Sequence, residues 1–273
     1  MLNEYLYGIP NGSDPLVLVK TIFTKFDIRQ NNPVRNLPNV ITVHLSFSFD
    51  IGWSDRGLIK ITGILNGISG NSIALEGGNG TAIFSDGSTQ GRLNYTNNII
   101  YLYLADGQTM KRDKVYVFSF TVINPNMNQA EGDVFISSSC FAGSRAVVAA
   151  RPMRVPNETI KGIVHGSNPL LVIIPTFKRS MMSQSDPLVG RQNMITLTLM
   201  SNVNLGASEN SQITLSGFQN VRNLMSNLWI NDNLPVILLP CLQQCLQQTF
   251  FPRCEMSSGA PQTGYPNLWE WKA

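Results

Sequence analysis

The sequence predicts an all-β protein built from antiparallel sheets that pack face to face. Only 14% of the 273 residues are charged and 43% are hydrophobic, so the chain can bury a core. Asn, Ser, Thr and Gly supply most of the polar surface, which suits sheets and turns better than helices. Residues 41–51 alternate strictly between apolar and polar side chains. A helix would scatter these apolar side chains around its whole circumference, so the alternation predicts a half-buried strand.

Further short strands follow this one along the chain. We predict them at residues 58–64, 72–75, 81–84, 99–104, 115–123 and 133–138. Gly, Asn and Asp, which favour turns, separate them at residues 55–57, 77–80, 86–87, 97–98, 106–107 and 124–126. Strands of this length and spacing, each with one apolar face, predict a β-sandwich.

The chain also repeats itself with an offset of 154 residues. Residues 11–16 (NGSDPL) fall on 165–170 (HGSNPL), and residues 39–45 (NVITVHL) fall on 193–199 (NMITLTL). The register holds without a gap from residue 3 to residue 63. Chance would rarely keep one register over that length, so we predict a duplicated module. Its second copy keeps an inward-facing set of apolar residues, Ile195, Leu197, Leu199, Val203 and Leu205.

The repeat predicts three regions. Residues 1–154 form a complete module, residues 155–226 a partial second copy, and residues 227–273 an atypical tail with cysteines, while residues 151–160 connect the two copies. Only 56 residues follow Gly217, against 91 between Gly63 and the next copy. We therefore expect the second sandwich to be incomplete, with an open edge that could pair with another chain, and the sequence to be a fragment of a longer array or to end in an anomalous segment.

Four motifs suggest a family. They are Asn-x-Ile-Thr-Val-x-Leu at 39–45, Ile-x-Ile-Thr-Gly at 59–63, Ala-Asp-Gly-Gln-Thr-Met at 105–110 and Val-Phe-Ser-Phe-Thr-Val-Ile-Asn-Pro at 117–125. With these motifs the sequence resembles the tandem immunoglobulin-like β-sandwich modules of large secreted or cell-surface repeat proteins of unicellular eukaryotes. The resemblance extends over about residues 14–140 and 168–220. The resemblance implies tandem immunoglobulin-like antiparallel β-sandwiches, the second incomplete, with an extracellular structural or adhesive role. The implied partners are neighbouring modules or other cell-surface proteins, and the resemblance supplies no catalytic residues.

Catalytic and metal-binding motifs do not appear in the sequence. Its two histidines, His44 and His165, lie in no zinc-binding spacing, and no Gly-x-Ser-x-Gly elbow accompanies them. We therefore predict a protein that is not an enzyme and has no cofactor. Calcium stays open, because six carboxylates near predicted strand ends could supply oxygen ligands although no Asp-x-Asp-x-Asp-Gly loop occurs. They are Asp50, Asp55, Asp86, Asp106, Asp113 and Asp133.

Carbohydrate binding is the alternative function. Trp53 follows the long predicted strand and becomes Ala207 in the second copy, so the fold does not require it, and Tyr101 and Tyr103 share one strand face. Exposed aromatic rings of this kind bind sugars in many β-sandwiches, with polar neighbours supplying hydrogen bonds. The competing interpretation is that Trp53 caps the core and the tyrosines form cross-strand pairs.

Other features concern location and modification. No stretch approaches the roughly 18 to 20 apolar residues of a membrane-spanning helix, no signal peptide is visible at the start, and a net charge of +3 favours no nucleic-acid partner. We expect an extracellular or cell-surface location. Possible glycosylation sites are Asn11, Asn79, Asn94 and Asn157, and the pairing of Cys140, Cys241, Cys245 and Cys254 stays open.

Overall fold

The computed structural model describes residues 4–64, 70–140, 146–205, 212–214 and 271–272. Within these ranges the chain forms antiparallel β-sheets and no α-helix, so the all-β class is confirmed. None of the described segments is a helix that could cross a bilayer. The chain divides into two compact units, Met1–Pro175 and Thr176–Ala273.

The strands of the first unit are β1 (Phe23–Gln30), β2 (Pro38–Phe47), β3 (Ile51–Gly52), β4 (Leu58–Thr62), β5 (Ser72–Ala74), β6 (Phe84–Ser85), β7 (Arg92–Thr96), β8 (Ile99–Leu104), β9 (Thr109–Met110), β10 (Tyr116–Ile123), β11 (Phe135–Cys140) and β12 (Ala146–Pro152). A short 3-10 helix, Trp53–Asp55, links β3 to β4. The second unit contains β13 (Phe177–Gln184), β14 (Ile195–Ser201), β15 (Gln212–Ile213) and β16 (Trp271–Lys272).

Two main sheets of the first unit share one hydrophobic core. One sheet has the order β1-β2-β10, and the other runs β12-β11-β4-β8-β7-β5 with β6 paired to β8. The rings of Phe84, in the larger sheet, and Phe118, in the smaller sheet, meet edge to face with their centroids 5.2 Å apart. Buried residues alternate with more exposed ones along β8 and β10, so each sheet turns one apolar face inward. The first unit is therefore β-sandwich-like.

Strict alternation locates some strands well and misses others. Residues 99–104 coincide with β8, and residues 115–123 exceed β10 by one residue. Only the last residue of the predicted strand 81–84 lies in a strand, because the Gly80 carbonyl accepts the N–H groups of Ile83 and Phe84 and forms a turn. The pattern predicts none of β1, β7, β9 and β12.

The predicted strand 41–51 breaks after Phe47. The Ser48 hydroxyl accepts the N–H of Ile22 at 3.1 Å and donates to the Lys20 carbonyl at 2.8 Å, which ties the strand end to the segment preceding β1. Asp50 then accepts the Arg112 N–H and forms an ion pair with Lys111. These side-chain contacts take the place of the strand ladder at residues 48–50, and β3 then pairs with β9 in a separate two-stranded sheet.

The hairpins β1–β2 and β13–β14 have the same register. Phe23 pairs with Phe47 in the first, and Phe177 pairs with Ser201 in the second, each position 154 residues later. Both hairpins carry a register shift directly after that pair, between Phe23 and Lys25 and between Phe177 and Arg179. The backbone geometry of the two hairpins is thus equivalent.

The predicted inward set of the second copy needs one correction. Leu199 and Val203 are buried and Leu197 and Leu205 are half-buried, but Ile195 is 44% exposed. Its counterpart Ile41 is buried because it belongs to the hydrophobic core of the first unit. In the described part of the second unit, β14 pairs with β13 alone.

The connection predicted at residues 151–160 is hydrogen-bonded into the first unit. The Met153 N–H donates to the Val134 carbonyl at 2.7 Å, and Arg154 exchanges backbone hydrogen bonds with Phe26 and Ile28 at 3.1 and 2.9 Å. The two compact units meet further on, between Pro175 and Thr176. Residues 155–175, which the repeat assigns to the second copy, therefore complete the first unit.

Candidate functional site

The most extensive polar contact between distant parts of the sequence is a joint between the β1–β2 hairpin and residues 160–172, here called the second turn segment. Gln30, at the end of β1, donates its side-chain amide to the carbonyls of Gly166 and Leu171, both at 2.9 Å. Its backbone N–H donates to the Ser167 carbonyl at 2.9 Å. Gln30 is 2% exposed, so these hydrogen bonds lie away from water.

Two buried asparagines complete this polar network. Asn39, in β2, donates its amide to the Gln30 Oε1 and to the Asn124 Oδ1, both at 2.8 Å. Asn124, just after β10, donates to the carbonyls of Asn32 and Val34, both at 2.7 Å. A buried amide costs free energy unless its hydrogen bonds are made. The network therefore fixes one position of the second turn segment against the hairpin.

Apolar and backbone contacts extend the joint. Leu170 belongs to the hydrophobic core of the first unit, and an ideal Cβ on Gly132 would lie 3.1 Å from the Leu170 Cδ1, so a glycine lets the backbone approach closely there. Val172 exchanges two backbone hydrogen bonds with Gln129, at 2.9 and 3.0 Å. Ile173 donates to the Pro33 carbonyl at 2.7 Å. Contacts to residues 129–132 and to the β1–β2 hairpin therefore hold the end of the second turn segment in place.

Residues 6–18, the first turn segment, have nearly the same local structure as residues 160–172. Leu6 and Ile9 form an isolated bridge, as do Ile160 and Ile163. Asn11 and its counterpart His165 both have positive φ, +54° and +58°. The two backbones differ at Leu16, whose φ is +73°, whereas Leu170 is not among the residues with positive φ.

The two turn segments differ sharply in burial. Leu16 is 95% exposed whereas Leu170 is 8% exposed, and Leu18 is 93% exposed whereas its counterpart Val172 is 2% exposed. The same residue positions therefore lie in a core in one copy and in solvent in the other. Exposed leucines next to each other mark an interaction surface more often than isolated ones.

The two hairpins also differ in burial, and here the second copy is the exposed one. Gln184 accepts the Asn193 amide at 2.9 Å, as Gln30 accepts that of Asn39. Gln184 is exposed, and Met182 is 46% exposed at the position where Ile28 is fully buried. Among the described residues, the Gln184 Nε2 donates to no group. The Gln184 backbone N–H points away from β14, because the neighbouring Ser185 N–H donates to the Met194 carbonyl in the antiparallel ladder. The corresponding donors of Gln30 hold the second turn segment in the first hairpin.

The structure separates the aromatic residues proposed to contact a ligand. Trp53 is 51% exposed in the 3-10 helix, and its backbone N–H donates to the Gln108 carbonyl at 2.8 Å. Tyr101 and Tyr103 lie half-buried on one face of β8; the Lys60 Nζ lies 5.7 Å from the Tyr101 ring centroid. Within the described ranges no ring contact joins Trp53 to either tyrosine. Of these three aromatic residues, Trp53 is the most exposed to solvent.

The four glycosylation sequons have different surroundings. Asn11 and Asn157 are exposed, while Asn94 is half-buried in β7 and accepts the Thr96 hydroxyl at 2.9 Å. Asn79 donates its amide to the Val115 carbonyl at 2.9 Å and accepts the Val117 N–H at 2.8 Å. Asn79 is exposed as well, but a glycan would replace one of the two hydrogens of this hydrogen-bonded amide and crowd its contact with Val115, so Asn11 and Asn157 are the sites best placed for modification.

The histidines occupy structural positions. His44 is half-buried between β1 and β10, and burial, together with the positive charge of Arg29, lowers its pKa. The His165 Nδ1 lies 3.2 Å from the Glu131 Oε2. In the part of the chain that the structure describes, no three His, Cys, Asp or Glu side chains are close enough to hold a metal ion together.

Two of the carboxylates near strand ends, Asp55 and Asp86, stabilise turns. Asp55 accepts the Gly52 N–H at 2.7 Å, and Asp86 accepts the N–H groups of Ser88 and Thr89 at 3.0 and 2.8 Å. Burial alone would raise the pKa of Asp86, but hydrogen bonds from Ser72, Thr89 and Ser88 hold it well below its usual value. Such hydrogen-bonded carboxylates are typical of turn formers.

Of the four cysteines whose pairing the sequence leaves open, Cys140 lies within the described residues. Cys140 is buried in β11, and burial, with a smaller contribution from the negative charge of Asp55, raises the pKa of its thiol to about 11. The thiol therefore stays protonated at neutral pH and is a poor nucleophile. Cys241, Cys245 and Cys254 lie outside the described residues, as do Ala207 and most of residues 227–273.

Comparison with known proteins identifies no relative. No protein-family model matches the chain, and no similar sequence is found among the curated proteins. The joint therefore has to be interpreted from its own residues. Sequence reasoning missed Gln30 and Ser167 as members of a site, although Gln30 and Gln184 share the 154-residue spacing that could have indicated them.

Proposed function

We propose that the chain is a non-enzymatic structural or adhesive repeat protein of the cell surface or extracellular space, built from immunoglobulin-like sandwiches of which the second is incomplete. The joint supports the proposal most, because residues belonging to the second repeat complete the fold of the first unit. A joint encoded with the period of the repeat fixes the position of one module's start against the preceding module. Its partners are neighbouring modules or other surface proteins.

The joint suits a protein that bears load or sets distances. Gln30 forms hydrogen bonds to three parts of the second turn segment, at Gly166, Ser167 and Leu171. Pulling the segment away would break all of these hydrogen bonds together, and the buried amide and carbonyl groups would lose their partners until water reached them. The joint therefore resists displacement of the second turn segment, as repeat proteins require of their nearest-neighbour contacts.

Surface location can be tested with an epitope inserted at Gly107. This glycine is in an exposed turn with nothing within 4 Å of an added Cβ, so an insertion there should leave the fold intact. We expect antibody labelling of intact source cells to equal that of permeabilised cells, because the module faces the exterior. Labelling only after permeabilisation would contradict the extracellular proposal.

Carbohydrate binding is a second candidate, favoured by the exposed Trp53 on an ordered turn. Asp55 accepts the Gly52 N–H and Arg56 donates its N–H to the Trp53 carbonyl, so the backbone that carries the indole is held in place before a ligand binds. If this function holds, Trp53→Ala abolishes retention on an immobilised polysaccharide and leaves the thermal unfolding midpoint unchanged. Tyr5→Ala, at another exposed aromatic, is the matched control and keeps retention. Equal retention of both variants would exclude Trp53 as the contact.

A further inference from the structure

We propose that the first turn segment of one copy of this chain docks onto the β13–β14 hairpin of a second copy. The inference rests on the proposed function, because docking of a second copy supplies the partner that a structural module needs. The occupant is a second copy because the chain already contains the docked form of this pair. In that form, the second turn segment sits on the β1–β2 hairpin, and each of its parts has a counterpart 154 residues away.

The polar groups of the two free surfaces are complementary. The Gln184 side-chain amide and backbone N–H correspond to the Gln30 donors. Within the described residues β13 pairs with β14 alone, and the Gln184 N–H points away from β14. The carbonyls of Gly12, Ser13 and Val17 correspond to those of Gly166, Ser167 and Leu171. Docking would pair three acceptors on one copy with the donors of a single glutamine on the other. This is the pattern that the joint shows.

The apolar groups match as well. Leu16 and Leu18 project from the first turn segment with 95% and 93% exposure, although their counterparts are buried. On the hairpin, Met182 and Leu188 are 46% and 59% exposed at positions where Ile28 and Val34 are buried. Removing these side chains from water supplies the driving force, and the glutamine supplies the register.

The contact uses two different surfaces and is therefore heterologous. Each copy carries one free turn segment, the first, and one free hairpin, β13–β14, so a copy can receive one neighbour and dock onto another. A heterologous contact that does not close into a ring forms an open chain of copies. We expect association that grows with concentration and has no fixed size.

The test is sedimentation velocity of the purified 273-residue chain over a wide concentration range. The protein is produced without glycosylation, because Asn11 is a sequon inside the first turn segment. Wild type should form growing oligomers, and Leu16→Asp and Gln184→Ala should each weaken association at least tenfold. Both residues are exposed, so both variants should fold, which circular dichroism can verify. Met127→Asp, at an exposed residue outside both surfaces, is the control and should associate like wild type.

Mixing the two variants distinguishes this contact from other forms of association. Leu16→Asp keeps its hairpin and Gln184→Ala keeps its turn segment, so an equimolar mixture should form a one-to-one dimer although each variant alone is monomeric. A monomeric wild type, variants that associate like wild type, or a mixture that stays monomeric would each overturn the docking. These outcomes leave the cell-surface labelling untouched, and intracellular labelling would not change the sedimentation result.

Discussion

Gln30→Ala is expected to lower the free energy of unfolding of the first unit by about 3 kcal/mol. The substitution removes the hydrogen bonds to the Gly166 and Leu171 carbonyls and one of the two hydrogen bonds of the Asn39 amide. The two carbonyls and one amide hydrogen lose these partners in a buried or partly buried place. Each buried group left unsatisfied costs about 1–3 kcal/mol, and partial entry of water reduces the sum. Hydrogen exchange of peptides from β2 and β10, followed as the urea concentration is raised, measures this loss. The midpoint of unfolding should move to a lower urea concentration.

Gln184→Ala is the matched control. It changes the same residue type at the same position of the repeat and also removes an acceptor for an asparagine amide. Gln184 is exposed, so water replaces what is lost, and the expected change in unfolding free energy is below about 0.5 kcal/mol. Similar losses for both variants, measured at concentrations where the chain is monomeric, would show that burial of the joint contributes nothing.

Strict alternation located the strands whose side chains follow one simple rule. β8 and β10 each alternate between buried and more exposed positions along their whole length, and their predicted bounds were right within one residue. β1 does not follow the rule, because the register shift between Phe23 and Lys25 moves the inward face by one position. Phe23 and Phe26 are both buried although they are three residues apart. Periodicity therefore misses β1, because the register shift breaks the alternation on that strand itself.

The joint was invisible to the same reasoning for a different physical cause. A glutamine or asparagine in a sequence is normally interpreted as surface, because burial is costly without partners. The carbonyl that justifies burying Gln30 lies 136 residues away, at Gly166. Trp53, in contrast, was correctly expected just after a strand, since its position depends only on local sequence. Long-range satisfaction of polar groups appears only once the fold is known.

Leu170→Ala is expected to lower the free energy of unfolding of the first unit by about 3 kcal/mol, within the usual range for truncating a buried leucine. Leu170 is 8% exposed and belongs to the hydrophobic core of the first unit, so its truncation leaves a cavity among buried side chains. Urea unfolding followed by hydrogen exchange of β2 and β10 peptides measures the loss.

Leu16→Ala changes the same residue type at the equivalent repeat position and should alter stability by less than about 0.5 kcal/mol. Leu16 is 95% exposed, and its left-handed backbone costs alanine as much as leucine. The pair therefore separates burial from residue identity and local sequence. Above the concentration at which copies associate, Leu16→Ala should begin to destabilise the chain, because bound partner adds to the stability of the folded state. A large loss for Leu16→Ala in dilute solution would mean that the first turn segment is already packed within its own copy.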